Sequence, residues 1–427
     1  TGNAGEPTGT FMGAAPNAGI IFVAWAGLQG TFRLTDSALV ADACDYIFNQ
    51  ATAMGMPCVI NISNSDDQGP HDGSSLGQEF LDNLLNTPGR AITLSAGNSN
   101  DRNSHASGQV AQGATQNVAI SYLANATRSD VIEIWYDGHD RFDATVTAPT
   151  APATVVGPVA AGAAANAALP GGQQIQVNSI LNDPRNGDNF ISIIITANAA
   201  NPIPTGNWTI AITGNTVING RFQAWVDRNN RAQSDFQAPH LTANEMTLGD
   251  LSTTIRAITV GNHQKPAPGN ISGSSGCGPT RDSRIKPEIA AVGSNVTSCR
   301  SRNMNAVNPG NFYVDMSGTS MSAPLVAGAV ALLFQCRGAA QTWADIKQVL
   351  EDTADFTDPA LPGGVLAIPH NAFGFGRLRM ANACARPATD VDVWLREFVG
   401  DLGAEPAAWV SWASPDIEIL DQNHNPI

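Results

Sequence analysis

From Leu325 to Phe334 the chain runs Leu-Val-Ala-Gly-Ala-Val-Ala-Leu-Leu-Phe, with no charged or polar side chain. A helix without a polar face cannot lie on a surface, so the fold must enclose it. Directly before it stands Ser317-Gly318-Thr319-Ser320-Met321-Ser322-Ala323-Pro324. Gly318 permits a sharp turn, Ser320 sits where the helix begins and its unpaired N–H groups favour negative charge, and Pro324 falls in the first turns, where a missing N–H costs little. The arrangement suits a serine nucleophile. It equally suits a capped core helix, so a second motif must decide.

The first third of the chain supplies one. Its apolar runs alternate between strand and helix periods: a strand over Ile20–Ala24, a helix over Ser37–Met54, a strand over Val59–Ile62, a helix over Gln78–Leu85 and a strand over Ile92–Ser95. That alternation predicts a parallel sheet. The last of these strands ends in Ser95-Ala96-Gly97-Asn98, which puts the Asn98 amide at the carboxyl end of the sheet, where sites of α/β proteins lie.

From about Asn117 short β runs separated by Gly, Pro and Asn turns replace this pattern, among them Val131–Tyr136, Arg141–Thr147, Ile191–Thr196 and Trp208–Ile212. They predict an all-β sandwich or jelly roll. After about Ala243 the α/β pattern resumes with Ala257–Gly261. Four regions are therefore expected: 1–116, the first part of the α/β domain; 117–243, the β insertion; 244–388, the second part with the nucleophile; and 389–427, a linker entering a further β domain.

Charge and cysteine usage narrow the classes. Of the 427 residues only 14% are charged and the formal net charge is −15, with Lys265, Lys286 and Lys347 the only lysines. A nucleic-acid partner is thereby disfavoured. The longest apolar run has the length of a core helix, so no membrane span is expected. Six cysteines are too few for a disulfide scaffold. Cys277 and Cys299 flank a loop near Ser320 and could pair, Cys336 and Cys384 could meet, and Cys44 and Cys58 read as buried small hydrophobes.

Taken together, Gly318-Thr319-Ser320-Met321-Ser322-Ala323-Pro324 and Ser95-Ala96-Gly97-Asn98 resemble the subtilisin-like serine proteases. The resemblance extends from about Gly13 to Leu378. It includes the Ala15-Pro16 turn, the strand before Ser63-Asn64-Ser65, and Ser272–Thr280 leading to Arg284–Gly293, where Val292 replaces the usual Pro. Gly69–Gly73 and Ser104–Gly108 look like a bacterial subset that carries a jelly roll. The resemblance implies a parallel sheet with helices on both faces, interrupted by the β insertion. It implies Ser320 as nucleophile, Asn98 as oxyanion donor, and Ser63, Asn64, Ser65, Gly97 and Thr319 around the bound peptide or protein substrate. No cofactor is implied. Calcium is frequent in such proteins, but Asp183–Asp188 reads as a turn and no metal ligands are expected. An extracellular or periplasmic location follows from family habit.

The catalytic Asp and His motifs of the family occur nowhere in the sequence. The family's order of Asp, His, Ser places both before Thr1, on an N-terminal segment that acts as a partner and inserts a strand between those at Ile20 and Val59. His71 and His105 read as loop-ordering residues rather than substitute bases. A catalytically inactive binding module and a serine acyltransferase are the alternatives.

Overall fold

The computed structural model describes residues 12–23, 37–64, 66–123, 126–197, 200–228, 234–242, 244–265, 269–300, 313–358, 361, 363–381, 383–384, 408–413 and 416–421. Residues 12–380 fall in one compact unit and those from Ala381 onward in another. In the first, α1 (Ser37–Ala53), β1 (Cys58–Ile62), α2 (Leu76–Leu84) and β2 (Arg90–Ser95) follow in order. Eleven strands come next: β3 (His105–Gln109), β4 (Thr115–Tyr122), β5 (Asp130–Tyr136), β6 (Arg141–Ala148), β7 (Thr154–Val159), β8 (Ala164–Ala168), β9 (Gln174–Ile180), β10 (Asn189–Thr196), β11 (Gly206–Thr216), β12 (Arg221–Arg228) and β13 (Ser234–Phe236). The chain then returns through β14 (Ile258–His263) and β15 (Ile289–Val292), the hairpin of β16 (Val296–Cys299) and β17 (Tyr313–Met316), α3 (Thr319–Arg337) and α4 (Trp343–Asp352). In the second unit β18 (Ala408–Ala413) and β19 (Asp416–Asp421) form an antiparallel hairpin.

A four-stranded parallel sheet ordered β1-β2-β14-β15 carries the α/β part. Alternate side chains of a strand face opposite ways. Ile60, Ile62, Ile92 and Leu94 on one face pack with Val40, Cys44 and Phe48 of α1 and Leu81 of α2. The apolar helix α3 takes no part in that cluster and lies along β1, β2, β14 and β15, so it covers the opposite face. Its Val326, Val330 and Leu333 are buried, as a helix without a polar side requires. With 19 residues it is nevertheless long and apolar enough to cross a membrane, longer than the run visible in sequence. Its packing on the sheet is that of a core helix.

The insertion is two antiparallel sheets, β3-β12-β5-β10-β9-β8 and β13-β4-β11-β6-β7. They share one apolar core built from Phe142, Trp208, Phe222, Ile134, Ile193 and their neighbours. Burial alternates strictly along β6, the period-2 pattern of a strand with one face on a core. Its first strand, β3, begins at His105, earlier than the shift in composition at Asn117.

Three expectations fail. Ile20–Val23 forms no strand, and Ala24 lies outside the described residues; Ile20 and Phe22 are 75% and 83% exposed. An extended segment becomes a strand only when a neighbour takes its N–H and C=O groups, and none of the described residues does. Cys277 and Cys299 are thiols and form no bridge. Cys58 is only half buried, although Cys44 is buried as expected. Cys336 and Cys384 are both disulfide-bonded.

Candidate active site

The carboxyl edge of the parallel sheet collects the sequence-predicted residues in strand order. β1 runs out into Ser63 and Asn64, β2 into Gly97 and Asn98, and α3 begins beside them with Thr319 and Ser320. Ser65 lies outside the described residues.

Helix α3 has no side-chain cap of its own, because the residue before it is Gly318. Its first N–H, on Thr319, donates to Asn98 Oδ1 at 2.9 Å, so the cap comes from the end of β2. The Thr319 hydroxyl reaches Asn98 Oδ1 at 3.2 Å and Gly97 O at 3.1 Å. These contacts hold the Asn98 oxygen toward the helix and thereby turn its Nδ2 outward. Gly318 has φ +151°, and a Cβ there would stand 3.3 Å from Asn98 Oδ1. The positive φ is what favours glycine here, and a side chain would also press on the Asn98 amide.

Ser320 is joined to the end of β1 by two bonds. Its Oγ donates to Ser63 O at 3.1 Å, and Ser63 Oγ donates to Ser320 O at 2.9 Å. The second bond has a cause in the sequence. The Ser320 carbonyl would ordinarily accept the N–H four residues on, but that residue is Pro324, which has none. The proline frees the carbonyl and Ser63 takes it. The i,i+4 spacing of Ser320 and Pro324 is the sequence signal for this freed carbonyl.

The remaining polar groups brace these turns. Ser99 Oγ donates to Asp67 Oδ2 at 3.0 Å, which links the Asn98 turn to the segment after β1. That segment is itself tied to the β insertion: Gly69 N donates to Glu133 Oε2 at 3.0 Å and Gln68 Nε2 to Asp227 Oδ2 at 2.6 Å. Asn100 Nδ2 donates to Asn244 Oδ1 at 3.2 Å while its Oδ1 accepts from Thr247 Oγ1 at 2.9 Å. The entry to and the exit from the insertion are thus fastened two residues from Asn98.

None of the histidines in the described residues bonds to Ser320. His71 stacks on Trp225 at 4.0 Å and its Nε2 contacts Asp67 O at 3.2 Å. His105 lies on Trp225 at 5.0 Å and contacts Gln223 Oε1 at 2.7 Å. Burial pushes the His71 imidazolium pKa down to about 3 and that of His105 to about 4, so both stay neutral. His139, His263 and His370 bond to residues one or two positions away, and His240 to Ser107 O. No group of three or more His, Cys, Asp or Glu among the described residues has the geometry of a metal site.

A helix N-terminus, a serine hydroxyl and an outward-turned carboxamide at one sheet edge are the parts of a serine acyl-transfer site. The family described as "Subtilase family" matches residues 1–376, and the chain belongs to it. Among solved structures, the CspB protease of Clostridium perfringens superposes with a TM-score of 0.69 at 22% identity, over 86% of this chain and 73% of that one. That likeness is one of fold. Curated relatives include the uncharacterised protein aq_aa18 of Aquifex aeolicus, 33% identical over 28% of this chain and 60% of its own length. The serine protease AprX of Bacillus subtilis is 31% identical over 26% of this chain and 28% of its own length. The chain thus spans less than two thirds of either relative.

Proposed function

We propose that this chain is the nucleophile-bearing part of a subtilisin-like serine endopeptidase. The observation that carries the reading is the placement of Ser320 Oγ and the Asn98 carboxamide on either side of one helix start, with the Asn98 oxygen engaged by Thr319. Ser320 attacks the scissile carbonyl. The developing oxyanion is held by Asn98 Nδ2 and the Ser320 N–H, neither of which has another acceptor among the described residues. The acyl half of the peptide lies along the Ser63–Asn64 edge as an added strand.

The proton of Ser320 needs a base that the described residues do not provide. The reading therefore assigns the catalytic Asp and His to a segment outside this sequence, seated against β1. One observation favours that seat: β1 is the edge of its sheet among the described residues. The insertion is read as a jelly roll on the strength of its two antiparallel sheets. Extracellular or periplasmic location is proposed from family habit.

Fluorophosphonate labelling tests the reading. The full-length gene product is expected to label at Ser320 and to lose labelling in Ser320→Ala, while the present chain labels slowly. Absence of labelling in an intact, folded full-length protein would favour the inactive binding module instead.

A further inference from the structure

Beyond Ser320, the sheet edge continues into a cavity of about 400 Å³ lined by Gln264, Lys265, Ser294, Asn295 and Ser317. Its place follows from strand order. At the carboxyl edge, Ser63 ends β1, Asn98 follows β2, Gln264 follows β14 and Ser294 lies just beyond β15. A peptide that pairs with Ser63 and presents its carbonyl at Asn98 therefore runs on toward β14 and β15 with its leaving half. Two strand spacings of about 4.8 Å separate β2 from β15, which an extended peptide covers in about three residues. Ser317 joins the cavity to the catalytic turn, being three residues before Ser320; its Oγ accepts from Asn295 N at 2.9 Å.

The chemistry of the lining is one-sided. Among the described residues Lys265 is its only charged one. The other two lysines of the chain are occupied elsewhere: Lys286 and Lys347 both pair with Glu288, at 2.8 Å and 2.6 Å. Lys265 is exposed, and its Nζ is oriented by a bond to Asn295 O at 3.1 Å. An ammonium has three N–H donors, and two of them have no partner among the described residues. The Gln264 side-chain amide has no protein partner among the described residues. On a chain of net charge −15, the general field repels acidic peptides, so any preference for them must be local.

We propose that this cavity is a leaving-side subsite that takes a carboxylate, about two or three residues beyond the scissile bond, with Lys265 as its specificity-determining residue. The proposal rests on the endopeptidase reading. The carboxylate can come from an Asp or Glu side chain or from the C-terminus of a short substrate.

The test uses the full-length protease and three peptides differing only beyond the scissile bond: one with Glu at the third position, one with Gln there, and one with Gln ending in a free acid at that position. The Glu peptide is expected to have a lower KM than the Gln peptide by about three- to fivefold, the size of one exposed charge pair, with kcat alike. If only the free-acid peptide gains, the carboxylate is that of the chain end. Lys265→Met is expected to erase the KM difference and Lys265→Glu to reverse it, so that the Glu peptide has the higher KM. Cleavage of all three with equal KM, or a preference that survives Lys265→Met, overturns the subsite while leaving the peptidase reading intact. Failure to cleave any of them, with no fluorophosphonate labelling, overturns the peptidase reading itself. Calorimetric binding of the leaving-side peptides alone then still decides the subsite, acidic over neutral upholding it and no difference refuting it.

Discussion

Thr319→Val isolates the orientation of Asn98, the proposed oxyanion donor, from its presence. Thr319 is fully buried, and valine matches its shape while removing the hydroxyl. Gly97 O keeps a donor, because Gly276 N also reaches it at 2.9 Å. Asn98 Oδ1 keeps the Thr319 N–H at 2.9 Å. No acceptor is orphaned, so the stability loss should be only about 1 kcal/mol, the net worth of one hydrogen bond. The Asn98 amide, however, loses one of two restraints. Removing an oxyanion donor altogether costs about 3 to 4 kcal/mol, a figure inherited from a subtilisin, and Asn98→Ala should show it. Losing one of the two bonds that aim the donor should cost about 1 kcal/mol in the transition state, or about fivefold in kcat. The assay is steady-state hydrolysis of a peptide anilide by the full-length protease, with thermal unfolding as a control for folding. An unchanged kcat in Thr319→Val, or a loss confined to KM, would refute the claim that the Thr319 hydroxyl aims Asn98.

Two further outcomes concern stability. Burial pushes the Asp250 carboxyl up to about 7, with Asp72 and Glu133 adding to the rise against the bond from His71 N. The folded state thus holds a proton that the unfolded chain releases near pH 4, so this contribution is complete below that pH and is lost as pH rises through about 7. Between pH 5 and 8 the melting temperature of Asp250→Asn should therefore fall less than that of the parent; parallel profiles would contradict this. Glu288 is buried between Lys286 and Lys347; burial alone would raise its pKa, but the two ammonium groups hold it below the usual range. Glu288→Gln leaves the buried Lys286 without its counter-charge and should cost about 3 to 5 kcal/mol in urea unfolding, the penalty for breaking a buried pair.

Much of this was legible because the decisive residues obey local rules. Ser320 and Asn98 stand out by turn chemistry, and the strands around them by apolar runs. What escaped is non-local. In β8 the sequence Ala164-Ala165-Asn166-Ala167-Ala168 has no β-branched residue, and only pairing with β9 makes it a strand. In β3, Gly108 looks like a turn residue, yet a Cβ there would come 2.6 Å from the Phe222 ring, so the glycine marks close packing instead. Ile20–Val23 shows the converse, since a strand-like composition is not a strand without a neighbour. The Ser63–Ser320 exchange depends on Pro324 in one segment and on a hydroxyl 257 residues from Ser320, and only the folded chain brings the two together.

The fastening at Asn100 gives the β insertion a mechanical relation to catalysis. Its two stems are joined by the Asn100 side chain, two positions from the amide proposed to meet the oxyanion. A torque applied to the sandwich, by an antibody or by a surface to which the protein adheres, is transmitted through a very short lever to Asn98. On the proposed reading of Asn98, the appended sheets are therefore joined to the oxyanion site through Asn100, and gripping them is expected to slow turnover without touching the groove.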